Sequence, residues 1–177
     1  MWQIGANVAL AGLMVMLVAC QSAAGAGDSQ AGADASQLYG TWDYHFEGDD
    51  LTAIKDELGE GIGSPDKVAV RVGFYRATWW QGFVFDGTLF MINGVPEGDG
   101  GTYELVDGTL VMVGADGTAG VTYDWALDGD ALTLKVLEEC DTSGPSPECN
   151  TDRGTIDPSL LLVTEHTYTR SSDRPAY

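Results

Sequence analysis

An all-β domain of eight to ten antiparallel strands in meander order is predicted by three observations. Asp86-Gly87, Asp107-Gly108 and Asp128-Gly129 recur every 21 residues, and Asp-Gly between apolar runs favours a two-residue hairpin turn whose positive φ angles both residues tolerate. The flanking runs, such as Val121 to Leu127 and Ala131 to Val136, alternate apolar and polar side chains with the period of two that turns one strand face to a core. Only Asp49 to Leu58 carries helical spacing, with Leu51, Ile54 and Leu58 on one face, Asp49 or Asp50 as its cap and Gly59 and Gly61 at its end.

In chain order, a first strand opens at Gly40-Thr41-Trp42 and runs past His45, and the helix follows it. Val68 to Phe74 alternates as a strand, and the hairpins around the Asp-Gly pairs come next. Alternation turns Tyr103, Leu105, Tyr123, Trp125, Leu127, Leu132, Leu134 and Val136 inward. Adjacent strand residues face opposite ways, so Trp79 and Trp80 cannot both point inward. Leu162 to Arg170 reads as the last strand. A sheet of this size must hide its edges, either by closing into an up-and-down barrel or by folding into a sandwich.

Gly40-x-Trp42 at the domain start and Arg170 in the final strand resemble the signature of lipocalins and related calycin barrels, over Leu38 to Arg170. Thr122 to Trp125 and Leu127 to Leu134 are similar to stretches of small secreted lipocalin-like proteins of actinobacteria. The resemblance implies that Trp42 and Arg170 meet at a barrel floor and that the cup above holds a small, largely apolar or amphipathic ligand. It implies no catalytic residues and no cofactor. A β-sandwich with an exposed-strand Trp42 and a surface Arg170 is the competing arrangement.

Residues 2 to 19 carry no charge and are rich in Ala, Val, Leu and Met, and Leu17-Val18-Ala19-Cys20 closes the run. This stretch resembles the lipobox of bacterial lipoproteins, although no Lys or Arg stands in the n-region. The resemblance implies a signal peptide over residues 1 to 19, lipid on Cys20, and a protein held on the extracytoplasmic face of the cell membrane. An uncleaved transmembrane anchor and an ordinary signal peptide are the alternatives. Residues 21 to 37 hold small and polar side chains, a flexible tether of about 20 to 25 Å, and residues 171 to 177 read as a disordered tail. With Cys20 lipidated, Cys140 and Cys149 remain as a pair for a disulfide across a Gly/Pro loop. A metal site there is the competing reading and lacks ligands.

Against 27 acidic residues stand 8 basic ones, a formal charge of −19, so a nucleic-acid partner is excluded for want of a basic face. No nucleophile sits beside a base in a recognisable motif, and the chain reads as a non-enzyme. Arg71, Arg76, Trp79, Trp80, Tyr103, Tyr123 and Trp125 are the candidate ligand contacts, and either arginine, if turned inward, suits a ligand carboxylate. His45 and His166 are a weaker candidate for haem or metal, as related barrels bind haem through a late-strand histidine. A cell-envelope protein-interaction module is the alternative to the binding cup.

Overall fold

The computed structural model describes residues 34–59, 65–92, 95–96, 98–141, 143–144 and 146–173. The first 33 residues, with Cys20, the expected signal peptide and most of the tether, lie outside the described residues. In order the elements are a 3-10 helix (Ala35–Leu38), β1 (Gly40–His45), α1 (Gly48–Leu58), β2 (Val68–Tyr75), β3 (Thr78–Phe85) and the short β4 (Thr88–Leu89), β5 (Met91–Ile92) and β6 (Val95–Pro96). They continue with β7 (Gly98–Val106), β8 (Thr109–Gly114), β9 (Ala119–Asp128), β10 (Ala131–Asp141), β11 (Glu148–Asn150), α2 (Pro158–Thr164) and β12 (Thr167–Ser172).

Eight strands close an antiparallel barrel. Their order is β12, β1, β2, β3, β7, β8, β9, β10, and β10 pairs with β12 to complete the ring. Residues directly opposite in a ladder share a face, so the register propagates a single inside around the wall. Trp42 stands opposite Val72, Phe74 opposite Trp79, Tyr103 opposite Met112, Tyr123 opposite Val136 and Leu132 opposite Tyr168. These inward residues, with Leu38, Phe46 and Ile54, form the buried core. A bulge at Val136/Glu138 admits Leu137 as an extra residue. It resets the alternation so that Glu139, not Glu138, stands opposite inward Val121.

Two of the Asp-Gly turns have positive φ at both central residues, Asp86/Gly87 and Asp107/Gly108, as a type I′ turn requires. The third differs. Ala131 pairs with Asp128, so the loop residues are Gly129 and Asp130, and only Gly129 has positive φ among them.

The C-terminal region departs from the single strand expected over Leu162 to Arg170. Pro158 occupies the first turn of α2 and the Asp157 carboxylate accepts the Ser159 N–H at 2.9 Å, a proline and cap that start a helix. Leu160-Leu161-Leu162-Val163 is a continuous apolar run without alternation, and the helix packs it against the core. The chain turns at Glu165 and His166 before β12 begins. Both flanking segments are more ordered than expected: Asp34 caps the 3-10 helix at the tether's end, and Ser171 and Ser172 belong to β12. In α1 the N-cap is Glu47, which makes no side-chain capping bond, and Asp49 and Asp50 fall in the first turn instead.

Candidate ligand-binding site

The end of the barrel where β1 begins is sealed. Leu38 is buried beneath it, and the Trp42 indole N–H donates to the Leu38 carbonyl at 2.9 Å. The Arg170 guanidinium lies 4.0 Å from the Trp42 ring centroid, close enough for a cation–π contact. It donates to the carbonyls of Tyr39 at 2.7 Å and Gln37 at 3.1 Å. A Cβ on Gly40 would meet backbone of β12, and its φ of 130° is one that side chains avoid, so the glycine of Gly-x-Trp lets the chain enter over the floor. Tyr103 joins this end through its hydroxyl, which donates to the Ala35 carbonyl.

One wall above the floor remains partly open. On β2 the inward row Val68, Val70, Val72 and Phe74 is fully buried. The facing row on β3, Phe85, Phe83, Gln81 and Trp79, is partly exposed throughout. The reason lies in β7, where the strand begins Gly98-Asp99-Gly100-Gly101 and offers no large side chain to cover its neighbour. The Trp79 indole reaches over Gly101 and donates to the Val113 carbonyl of β8 at 3.1 Å. A Cβ on Gly101 would collide with that same carbonyl. Higher on the row, Phe83 and Phe85 lie with their ring planes nearly parallel, centroids 6.2 Å apart, and Phe90 adds a third ring 5.1 Å from Phe85.

The other candidate residues distribute between wall, core and surface. Trp80 stands opposite Gly73 and Gly100, on the outer face. Arg71 is also outward, opposite Asp43 in the ladder, and forms a two-pronged ion pair with it at 2.7 Å for both contacts. The Asp43 bond raises the Arg71 pKa, so neither group is free for a ligand in the barrel. Arg76 sits in the β2–β3 turn at φ 55° with its guanidinium 5.1 Å from the Tyr75 ring centroid, away from the interior. Among the described residues, neither candidate arginine turns into the barrel. Tyr123 and Trp125 are core residues. Burial pushes the Tyr123 hydroxyl above its ordinary range while a hydrogen bond with Thr164 opposes that shift, and the Trp125 indole N–H has no partner among the described residues.

His45 and His166 do not converge. His45 stands opposite outward Ala69 and is exposed, whereas His166 stacks at 3.6 Å on the ring of Tyr44, the neighbouring residue that points the other way. His166 Nε2 lies 2.6 Å from the Leu162 carbonyl, so it is the protonated nitrogen and is spent on that bond. Burial lowers the His166 pKa. The strand alternation that aligned His166 with Leu162 fails because Leu162 is helical.

Cys140 and Cys149 are cross-strand partners, Cα to Cα 4.1 Å, joined as a disulfide. They border an open depression of about 570 Å³ lined with Glu139, Asp141, Glu148 and Asn150, polar and outside the barrel. Among the described residues Glu138 is the one other metal-type ligand grouped with them, and the disulfide removes the two thiolates from that set. Gln81 and Asp99 were missed as candidate contacts because Gly98 to Gly101 reads as a loop; only the ladder with β3 makes it a wall. No family model matches the chain, and no curated protein and no solved structure matches it either.

Proposed function

We propose that this chain is a membrane-tethered, non-enzymatic binding protein whose barrel seats a small, largely apolar molecule against the inner face of β3. The observation that carries the reading is the contrast between the buried inward row of β2 and the partly exposed inward row of β3. Inward aromatics that the protein does not itself cover are the apolar lining that ligand sites use. If Trp79, Phe83 and Phe85 form that lining, long-chain amphiphiles will change the tryptophan fluorescence of the soluble chain from Gln21 onward. Phe83→Ala will weaken the response several-fold while leaving the fold intact. Absence of binding at tens of micromolar, about 6 kcal/mol of affinity, removes the cup.

A protein-interaction module is the second reading, favoured by the filled lower barrel, where Trp42, Tyr103, Leu110, Trp125, Leu132 and Tyr168 are all buried. The tether rests on the lipobox-like Leu17 to Cys20 and the uncharged run before it. Among the described residues no helix is long and apolar enough to cross a membrane. Attachment through acyl chains adds about 0.8 kcal/mol per buried CH₂, which holds an acidic domain without basic lipid contacts. Cys20→Ala should abolish lipid labelling; a chain shortened as usual and still retained on membranes would count against lipidation.

A further inference from the structure

We infer that the molecule seated on β3 is a protonated amine with an apolar body, its N–H groups directed to Asp99 and Gln81. The inference rests on the proposed cup and specifies its ligand. In the β3–β7 ladder Gln81 and Asp99 are direct partners, and Gln81 has the parity of Trp79 and Phe83. An amide and a carboxylate of the inward parity therefore stand side by side, the Gln81 amide half-buried and the Asp99 carboxylate exposed at the open wall, one pleat from an indole on one side and a phenyl ring on the other. Neither side chain has a hydrogen bond or an ion pair among the described residues. Two other polar groups of the inward parity are engaged: Glu139 accepts the Asp157 N–H at 3.0 Å, and Tyr44 donates to Asp50 at 3.0 Å.

The charges in reach have one sign. Of the strand-borne basic residues, Arg71 faces outward against Asp43, Lys135 stands opposite outward Asp124 and Arg170 is bound at the floor. No cation among the described residues competes for Asp99. An ammonium group beside Asp99 gains a charge-assisted hydrogen bond and a face of Trp79 or Phe83 for cation–π attraction. A carboxylate there would meet Asp99 with nothing to neutralise it. The net charge of −19 adds a field that concentrates cations around the whole surface, and the test must separate this from the site.

Octylammonium, octyltrimethylammonium, 1-octanol and octanoate share one apolar chain and differ in the head group. Each is titrated, below its micellar concentration, into the chain from Gln21 to Tyr177, which holds every described element. Octylammonium should bind about three- to fivefold more tightly than octanol, as an exposed carboxylate allows, octyltrimethylammonium should fall between them for want of N–H donors, and octanoate should be weakest. Asp99→Asn should bring octylammonium to the affinity of octanol and leave octanol unchanged. Glu104→Gln, which removes the same charge from the outer face of the same strand, should leave that preference in place. Octanol binding as tightly as octylammonium, or an equal loss in Asp99→Asn and Glu104→Gln, overturns the amine assignment and leaves the cup standing. If none of the four binds, the cup itself fails.

Discussion

The floor of the barrel and its β3–β7 wall are both lined by tryptophan, yet they end in opposite states. At the floor the chain supplies a partner for each polar group: Trp42 has the Leu38 carbonyl, and Arg170 has two carbonyls and the Trp42 ring. On the wall Trp79 finds the Val113 carbonyl, but above it Gln81 and Asp99 have no partner among the described residues and the phenylalanines are partly exposed. The difference comes from what each region faces. A 3-10 helix fed by the incoming chain plugs the floor, whereas β3 faces a strand that starts with glycines. Sealing a barrel end takes a dedicated segment, and a run of glycine in a neighbouring strand is enough to leave a wall open.

Removing the seal should be the most damaging change. Trp42→Ala deletes a fully buried indole and is expected to cost about 3 to 5 kcal/mol in denaturant unfolding. Arg170→Ala should cost less, and the double variant less than the sum, since residues in contact couple. Additive effects would show that the floor is two independent contacts and not one unit.

Filling the gap in the wall is the next largest change. Gly101→Val places a branched side chain against the Val113 carbonyl that Trp79 also uses. It should destabilise by about 2 to 3 kcal/mol, within the usual range for overpacking. Gly117→Ala, in an open turn with nothing near its Cβ, adds only the strain of a side chain at φ 72° and should cost about 1 kcal/mol. Equal losses would deny that the glycines of β7 shape the wall.

The smallest effect concerns the seam between floor and mouth, where His166 packs on Tyr44. Burial lowers the His166 pKa below its ordinary 6.5. Between the folded value and 6.5 the unfolded chain binds more protons, so stability rises with pH through this window and falls as pH drops through it. His166→Gln should flatten that part of the stability profile relative to the natural chain. A slope unchanged by the substitution would assign it to the many carboxylates instead.

The all-β meander of hairpins was legible from local patterns, because turn chemistry and period-two alternation act over a few residues each, whereas closure into a ring instead of a sandwich was expected only from the resemblance. The gathering of Trp42 and Arg170 was expected from a resemblance and depends on ring closure. The second helix was hidden, since Ser159 to Val163 has neither alternation nor helical spacing distinctive over so short a run; its cap, Asp157-Pro158, was the available signal. The histidine pair does not form because His45 has the parity opposite to Tyr44, the residue that His166 meets.

Composition and charge by themselves set the expectation of a partner other than nucleic acid, and the placement of Asp-Gly pairs and apolar alternation determined which residues turn inward within each hairpin. What only the tertiary structure decided is the pairing of distant strands. The glycine-rich start of β7 becomes a wall only because it zips onto β3, and Arg71 is removed from the interior only because its ladder partner is Asp43. A side chain's face is a local property with a period of two, but what stands opposite it is set by register between segments far apart in the chain, and that register is fixed when the whole ring closes.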